Sequence, residues 1–289
     1  MQNFLGDKAK MPDEQAEKLY SLCVEKTRSF LKKLGASDVV LGLSGGIDSA
    51  LVAAIAVDAL GASHVHGVLM PGPYSTTHSV EDAKACAEAL DIDYQVISID
   101  EPYGAFKKTL SAACGEGGFT GLTEQNVQCR CRMVTLMALA NARGWLLLNT
   151  SNKTEFYMGY STLYGDLTGV FGPIGGLLKT QVFGLAIWRN KTSQTSRKFD
   201  SFPIPENTLK KAPSAELASG QTDQDSLGLD YVTLDEMLQV YEAQHDAGAT
   251  DAKIEKLLQE KGFCAEDVQN MLARINANKF KQALAPPHP

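Results

Sequence analysis

A strand, a Gly-rich loop and a helix follow one another without a break between residues 38 and 60. The apolar stretch 38–43 leads into Ser44-Gly-Gly-Ile-Asp-Ser49, and the Ala- and Val-rich stretch 50–60 is predicted to be helical. Backbone amides at a helix N-terminus are unpaired and carry the positive end of the helix dipole, and glycine leaves room for a pyrophosphate. The loop is therefore predicted to bind phosphate. Its spacing matches neither a Walker A loop nor the Gly-x-Gly-x-x-Gly dinucleotide fingerprint.

Asp48 is the unusual residue of this loop. A carboxylate beside phosphates is repulsive unless a cation lies between them, so Asp48 predicts a divalent metal. The alternative is that Asp48 only caps the helix.

Composition narrows the classes of partner. The chain has 27 Lys and Arg against 34 Asp and Glu, a formal net charge of −7. Because nucleic acids and membrane surfaces are anionic, we expect neither as a partner. The stretch 1–14 does not have the apolar core of a signal peptide, and no apolar run is long enough to span a bilayer, so we expect a cytoplasmic protein.

The cysteines and histidines give no metal-site pattern. The alternation of His64 and His66 along a predicted strand argues against a histidine metal site. The cysteines have no paired zinc spacing and are predicted to be buried free thiols: Cys23, Cys86, Cys114, Cys129, Cys131 and Cys264.

Strand and helix patterns alternate along the first half of the chain. Strands are predicted at 38–43, 64–70, 94–99 and 145–149, and helices at 16–34, 50–60, 79–90, 101–113 and 123–143. This alternation predicts an α/β fold with a doubly wound, mostly parallel sheet and helices on both faces. Extra C-terminal helices are predicted at 234–245 and 252–277, within a single domain spanning 1–289.

Three loops are expected to share one edge of this sheet. Ligands of doubly wound sheets bind beyond the C-terminal ends of the strands, where the Ser44 loop and the stretches 71–77 and 150–152 all fall. The polar, Pro-containing stretch 190–230 is predicted to be a mobile surface segment that orders over a ligand.

The predicted helix 123–143 carries a candidate cation. Asn126 and Arg130 lie one turn apart on a face of their own, so Arg130 can reach out of the core; a solvated surface arginine is the alternative. The opposite, buried stripe is predicted at Val127, Cys131, Val134 and Ala138.

Motifs spread along the chain indicate a family. The Ser44–Ser49 loop resembles the pyrophosphate loop of the ATP pyrophosphatases, which adenylate an oxygen and let a nitrogen or sulfur nucleophile displace AMP. The further motifs are Asn126-Val-Gln-Cys-Arg-Cys-Arg-Met133, Thr150-Ser-Asn-Lys-Thr-Glu155, Gly159-Tyr-Ser-Thr-Leu-Tyr-Gly-Asp166, Lys179-Thr-Gln-Val182, Pro213-Ser-Ala-Glu-Leu217, and Lys281 followed by Pro286-Pro287. In this order, over about residues 15–287, the chain resembles the NAD synthetases, which amidate nicotinic acid adenine dinucleotide (deamido-NAD). The resemblance implies a Rossmann-like fold of the adenine nucleotide alpha hydrolase type.

The resemblance also implies roles for individual residues. It makes Asp48 and Glu155 ligands of Mg²⁺, and Asp48 and Lys179 the catalytic pair. The substrate-binding residues would be Asn126, Arg130, Glu155, Asp166 and Lys281. The ATP contacts would be Gly42, Leu43, Ser44, Gly45, Gly46, Ile47, Asp48, Ser49, Thr150, Lys179 and Ser214. Lys179 is predicted near a helix start, where the dipole disfavours a cation, so a bound anion would explain its position.

Some positions depart from the family pattern. Compact ammonia-using members usually carry Lys at the position of Leu163, Asp at that of Val170 and a second basic residue at that of Gln282. The segment 160–166 and the Ala-Pro-Pro ending are closer to the synthetase half of the glutamine-dependent enzymes.

The resemblance implies a two-step ligase. The nicotinate carboxylate would attack ATP to give an acyl adenylate and pyrophosphate, and ammonia would then release AMP and NAD. The rivals are another ATP pyrophosphatase, such as a tRNA-thiolating or GMP-forming enzyme, and a nucleotide-binding module without catalysis. The acidic charge balance disfavours the tRNA enzyme. The combination of Asp48, Glu155 and Lys179 disfavours the inactive module.

Two further expectations concern the nitrogen source and the oligomeric state. The short stretch before the first helix leaves no room for an upstream glutaminase, and no cysteine lies in a Gly-rich elbow, so free ammonia from solution or from a separate partner chain is expected. Family resemblance implies a homodimer, with the apolar helix 123–143 at its interface.

Overall fold

The computed structural model describes residues 3–196 and 202–289. Its sheet contains β1 (Val39–Gly42), β2 (Val65–Leu69), β3 (Asp93–Val96) and β4 (Leu146–Leu147) in the order β3-β2-β1-β4. Every neighbouring pair is parallel. The predicted α/β fold with a parallel sheet is therefore confirmed.

Helices connect and cover these strands. In chain order they are α1 Asp13–Lys33, α2 Ile47–Leu60, α3 Thr77–Ala89, α4 Asp100–Leu110, α5 Leu122–Arg143, α6 Lys153–Met158, α7 Lys179–Ser196, α8 Glu206–Lys210, α9 Asp223–Leu227, α10 Tyr231–Asp246, α11 Asp251–Glu260, α12 Ala265–Ala277 and α13 Lys279–Gln282. None of the helices in the described ranges has the length and apolar character needed to cross a bilayer.

Alternate residues of β1 enter different cores, as the pleat of a strand requires. Val39 and Leu41 pack in the core that contains α1, α2 and α7. Val40 packs on the other side, against residues of α4 and α5. Helices therefore cover both faces of the sheet.

The order of the strands creates a crevice beside β1. The chain moves from β1 outward to β2 and β3, and then returns to place β4 on the other side of β1. The loops that follow β1 and β4 therefore leave the sheet in opposite directions. A sheet of this kind binds ligands in the gap between such loops.

The C-terminal helices form a separate apolar cluster that also takes in Met158 of α6 and Leu178 before α7. The prediction of a single helix over 252–277 is wrong, because α11 and α12 are separate helices. The chain turns between α11 and α12 at Gly262, whose φ is 96°. Residues with this backbone angle cannot continue a right-handed helix.

The buried face of α5 differs from the predicted stripe. Val134 is 55% exposed, whereas Leu136 and Ala140 are buried against the sheet. Because α5 packs directly on β1 and β4, its position on the sheet rather than its own periodicity decides which residues are covered. The placement of this helix at a dimer interface remains a prediction.

Part of the segment 190–230 is buried, so its prediction as a surface segment is wrong there. Ile204 and Leu209 are 0% exposed and belong to the core of α1, α2 and α7. The Asn190 side chain pairs with both backbone groups of Ile204. Residues 197–201 of this segment lie outside the described residues, and its mobility stays a prediction.

All six cysteines are free, as predicted, but Cys114 and Cys264 are exposed. The prediction of buried thiols is therefore wrong for these two. Burial raises the pKa of the Cys23, Cys86 and Cys129 thiols to about 12.

A buried arginine ties α7 to α1 and α2. Arg189 Nε lies 2.7 Å from Asp58 Oδ2 and 3.1 Å from the Tyr20 hydroxyl. The Arg189 side chain is 6% exposed. Removing one member of a buried ion pair leaves the other charge without compensation.

We expect Asp58→Ala to lower the free energy of unfolding by about 3–5 kcal/mol, measured by denaturant titration. The control is Lys18→Ala, which removes an exposed ion pair with Glu14 and should change stability little. Equal stability of the two variants would contradict the structural role given to Asp58.

Candidate active site

A cavity of about 770 Å³ lies beyond the C-terminal ends of β1, β2 and β4. Every residue that the sequence assigned to the site lines it. Around the cavity are Gly42, Leu43, Ser44, Gly45, Gly46, Ile47, Asp48, Ser49, Asn126, Arg130, Thr150, Glu155, Asp166, Lys179, Ser214 and Lys281. This volume is in the upper part of the range of small-molecule sites.

The Gly-rich loop between β1 and α2 is held by its own hydroxyl groups. Ser49 Oγ donates to the Gly46 carbonyl at 3.1 Å and accepts from the Ser44 amide at 3.2 Å. The Gly46 amide donates to Ser44 Oγ. Ser44 and Ser49 were predicted as ATP contacts, and here both also fix the shape of the loop.

Lys179 is the first residue of α7, and its ammonium group is buried between two carboxylates. Lys179 Nζ lies 2.5 Å from Asp48 Oδ2 and 3.4 Å from Glu155 Oε1, and the residue is 1% exposed. Burial opposes the charged form, but the Asp48 and Glu155 carboxylates outweigh it and raise the pKa of Lys179. The lysine is therefore a fixed positive charge beside the phosphate-binding loop.

Asn152 links these two carboxylates and was missed by the sequence analysis. Asn152 Nδ2 donates to Asp48 Oδ1 at 2.8 Å. Asn152 and Glu155 also form a capping box at the start of α6: the Glu155 amide donates to Asn152 Oδ1, and the Asn152 amide donates to Glu155 Oε2. The Asn-x-x-Glu spacing before an apolar run is a signal that could have indicated this cap.

A third carboxylate, Asp223, also lines the cavity and was not predicted. It accepts hydrogen bonds from the Tyr160 hydroxyl at 3.0 Å and the Tyr231 hydroxyl at 2.7 Å. The Tyr231 ring centre lies 5.1 Å from Lys179 Nζ, within the range of a cation–π contact. Asp223 therefore adds negative charge close to the lysine.

The donor set fits a hard divalent cation. Asp48, Glu155 and Asp223 bring three carboxylates to one ammonium, and burial raises the pKa of Glu155 well above its ordinary value. The Asp48 and Asp223 carboxylates add to this effect of burial, whereas the Lys179 ammonium opposes it. Within the described ranges, no set of three or more acidic, His or Cys groups converges on a metal position. A cation there would need water and phosphate oxygens as well, which is how Mg²⁺ usually binds.

The predicted substrate-binding residues surround one loop, residues 159–166. Lys281 Nζ donates to the Gly159 and Ser161 carbonyls at 2.8 and 2.7 Å, and Arg130 Nε donates to the Leu163 carbonyl at 3.3 Å. Neither cation pairs with a carboxylate in these contacts. Both therefore keep positive charge along this wall of the cavity.

Asn126 and Asp166 bind the same loop through Thr162. Asn126 Oδ1 accepts from Thr162 Oγ1 at 2.7 Å, and Asp166 Oδ1 accepts from the Thr162 amide at 2.6 Å. Asp166 lines the cavity, where desolvation by the surrounding protein raises the pKa of its carboxyl group.

The segment that contains Ser214 folds over the start of α3. Glu216 accepts from the Thr76 amide at 3.1 Å and from Ser79 Oγ at 2.5 Å, and lies 2.7 Å from Lys211 Nζ. Ser214 Oγ donates to the Gln221 carbonyl at 2.6 Å. Lys211 and Glu216 line the cavity and were not predicted.

Comparison with known proteins decides the family. The NAD synthase family profile matches residues 19–285. The chain belongs to the NAD synthase family. A glutamine-dependent NAD(+) synthetase of Synechocystis is 41% identical over 279 residues, which are 96% of this chain and 47% of the relative. The Aquifex aeolicus relative of the same description is 40% identical over 98% of this chain and 47% of its own length.

The chain thus spans about half the length of these curated relatives.

The solved structures that match include one of about this chain's length and one of about twice its length. An NH3-dependent NAD synthetase of Campylobacter jejuni has a TM-score of 0.68 and 30% identity, covering 94% of this chain and 96% of its own. A glutamine-dependent NAD+ synthetase of Acinetobacter baumannii has a TM-score of 0.64 and 33% identity, covering 95% of this chain and 46% of its own.

A third solved structure differs in substrate. It is described as an NMN synthetase of Francisella tularensis, with a TM-score of 0.73 and 29% identity, covering 92% of this chain and 95% of its own. The predicted family resemblance is confirmed by these matches.

The three positions that depart from the compact NAD synthases lie in different structural environments. Leu163 lines the cavity. Val170 instead packs against the apolar core, and the Gln282 side chain donates to the Tyr157 and Ile275 carbonyls at 3.4 Å. Of the three departures, Leu163 is therefore the one placed to change ligand contacts.

Gly45 provides a test of the loop geometry. Its φ is 79°, and a Cβ atom there would collide with the backbone carbonyl of Ser79 at the start of α3. We expect Gly45→Ala to lower both the unfolding midpoint and ATP affinity. Gly61→Ala is the control, because Gly61 has φ 95° but nothing within 4 Å of the added Cβ, so it should show only backbone strain, about 1–2 kcal/mol. Calorimetry that found equal ATP affinity in both variants would contradict the close packing of α3 on the loop.

Proposed function

We propose that this chain is an ammonia-dependent NAD(+) synthetase, which uses ATP and Mg²⁺ to amidate deamido-NAD and releases AMP and pyrophosphate. The observation that carries the proposal is the Lys179 ammonium buried between Asp48 and Glu155, at the N-terminus of α2 and inside the shared cavity. A fixed cation and the amides of a helix N-terminus, beside two carboxylates, suit the transfer of a nucleotide between anions. Membership of the NAD synthase family supports the same reaction.

In the first step, a carboxylate oxygen of the nicotinate ring attacks the α-phosphorus of ATP. A new oxygen–phosphorus bond forms while the bond to pyrophosphate breaks, giving an acyl adenylate. Negative charge grows on the leaving pyrophosphate. Lys179 and the amides of the Gly45–Ser49 loop would stabilise this charge, and no nucleophilic side chain is needed.

Asp48 and Glu155 would hold the Mg²⁺. When bound, the ion would neutralise phosphate charge and so allow the two anionic substrates to approach. The contacts of Asp48 with Asn152 and of Glu155 with the α6 cap orient these carboxylates before any ligand enters.

In the second step, ammonia attacks the acyl carbon and the carbon–oxygen bond to AMP breaks. The ammonia must lose a proton to become the amide. Asp166 lines the cavity, and burial raises the pKa of its carboxyl group, so Asp166 is the carboxylate that would accept this proton. Arg130 and Lys281, on the same wall, would bind the dinucleotide phosphates.

The cysteine that lines the cavity bears on the nitrogen source. A glutaminase needs a nucleophilic thiolate, and burial raises the pKa of Cys129, the cysteine that lines the cavity, to about 12. We therefore favour free ammonia. The alternative is a synthetase unit supplied by a separate glutaminase, because the curated relatives are glutamine-dependent and twice as long.

The test is an incubation of the purified chain with ATP, Mg²⁺ and deamido-NAD, with ammonium or glutamine as the sole nitrogen source. Mass detection of NAD, AMP and glutamate follows the products. We expect NAD and AMP in equal amounts with ammonium, and little NAD with glutamine. NAD formation coupled to glutamate release would overturn the ammonia assignment, and no product with either source would overturn the function.

A second candidate is amidation of the mononucleotide instead of the dinucleotide. It rests on the likeness to the Francisella NMN synthetase structure. The same assay with nicotinic acid mononucleotide separates the two candidates, since a larger kcat/KM for the mononucleotide would favour the second.

We expect Asp48→Asn and Glu155→Gln to lower AMP formation at least about 100- to 1000-fold, because each removes a charged ligand of the phosphate-bound cation. The control is Glu242→Gln, which breaks an ion pair with Lys153, the first residue of α6, outside the cavity. Near wild-type turnover in Asp48→Asn or Glu155→Gln at saturating Mg²⁺ would refute the metal assignment.

Arg130→Ala should weaken deamido-NAD binding roughly 10- to 100-fold, the expected cost of a lost hydrogen bond to a charged group. The KM for ATP should change little. Arg143→Ala, at the other end of α5 and over the Trp145 ring, is the matched control. Steady-state kinetics that showed equal effects on both substrates would argue against this role of Arg130.

A further inference from the structure

Asp235 is a buried carboxylate on α10 that lies behind the cavity wall. The residue is 1% exposed. Its Oδ1 accepts from Thr154 Oγ1 at 2.6 Å, and its Oδ2 accepts from the Thr180 amide at 2.7 Å. One side chain therefore binds the first turns of both α6 and α7.

Thr154 continues this connection to the site. Its Oγ1 accepts from the Lys179 amide at 3.0 Å while donating to Asp235. Thr154 is also the neighbour of Glu155, and Thr180 is the neighbour of Lys179. The two residues whose side chains meet in the cavity thus have their backbones fixed through Asp235.

The start of α7 needs such a carboxylate. A helix N-terminus disfavours the positive charge of Lys179, and its first amides have no partner within the helix. Asp235 accepts one of these amides and adds a negative charge at the positive end of the dipole. It therefore stabilises a helix start that Lys179 alone would destabilise.

An amide cannot replace this carboxylate without loss. Both Thr154 and Thr180 present hydrogen-bond donors, and each oxygen of Asp235 accepts one of them. Asparagine has a single acceptor oxygen, so one buried donor would remain unsatisfied.

We infer that Asp235 is a positioning residue, which acts through Thr154 and Thr180 to set Lys179 and Glu155 at the distance required for adenylyl transfer. The inference rests on the proposed function. It predicts that the chemical step suffers more than dinucleotide binding, since Arg130 on α5 and Lys281 on α13 are held by loop 159–166 and not by Asp235. Misplacement of a catalytic group by about 1 Å costs on the order of 100-fold in rate.

The experiment compares Asp235→Asn, Thr154→Val and Thr154→Ser with the wild-type chain. Measurements are kcat, the KM for deamido-NAD, ATP affinity by calorimetry and the thermal unfolding midpoint. We expect kcat to fall about 100-fold in Asp235→Asn and Thr154→Val, with an unchanged KM for deamido-NAD. Thr154→Ser keeps the hydroxyl and should restore most of the activity.

Asp230→Asn is the matched control for stability. Asp230 caps the same helix, accepting from the Val232 and Thr233 amides, and it is exposed and outside the cavity. It should lower the unfolding midpoint without lowering kcat. Wild-type kcat in Asp235→Asn, or a kcat loss in Asp230→Asn that parallels its stability loss, would overturn the inference.

Two further outcomes are decisive. If Asp235→Asn does not fold, wild-type kcat in Thr154→Val overturns the inference and a selective kcat loss supports it. If the wild-type chain binds ATP but makes no NAD, the proposed function fails. The role of Asp235 is then tested by ATP affinity. Weaker ATP binding in Asp235→Asn than in Asp230→Asn supports the positioning role, and equal ATP binding refutes it.

Discussion

The burial of the Lys179 ammonium is the constraint on which the site depends. A charge removed from water must be compensated, and here Asp48 and Glu155 compensate it from two different connections of the sheet. Asp48 comes from the first turn of α2, which follows β1, Glu155 from the helix after β4, and Lys179 from the start of α7. If any one of these three elements moved away from the others, a buried charge would lose a partner. The same electrostatic requirement that holds the elements together creates the place proposed for phosphate and a divalent cation.

The sheet determines where this cluster can form. Because β2 and β4 flank β1 on opposite sides, the connections after β1 and β4 diverge and leave an open crevice at the C-terminal edge of the strands. The Gly-rich loop lies at the bottom of that crevice. Loop 159–166, held by Arg130 and Lys281, forms one wall, and the Lys211–Glu216 segment closes the other against α3. The two proposed substrates would therefore meet beside Lys179, with Arg130 and Lys281 as positive charges on one wall.

Local signals allowed much of this arrangement to be predicted. The strand–loop–helix run at 38–60 identified β1, the phosphate loop and α2, and ordered motifs located Arg130, Glu155, Asp166 and Lys179 in one site. Contacts between distant segments left no local signal. Asp223 reaches the cluster through the fold of the C-terminal helices, Asp235 acts from α10, and the exposure of Val134 follows from how α5 lies on the sheet. Gly262 alone did not reveal that the helix 252–277 is divided, because a glycine within a helical pattern is also compatible with a continuous helix.

We propose that this cluster transfers AMP to a carboxylate oxygen before nitrogen enters. The most direct measurement uses deamido-NAD whose nicotinate carboxylate carries ¹⁸O in both positions, with unlabelled ATP, Mg²⁺ and ammonium. Because the carbon–oxygen bond breaks in the second step, AMP should carry one ¹⁸O and the new amide should retain the other. Unlabelled AMP, or formation of ADP with the label in inorganic phosphate, would contradict an acyl-adenylate mechanism at this site.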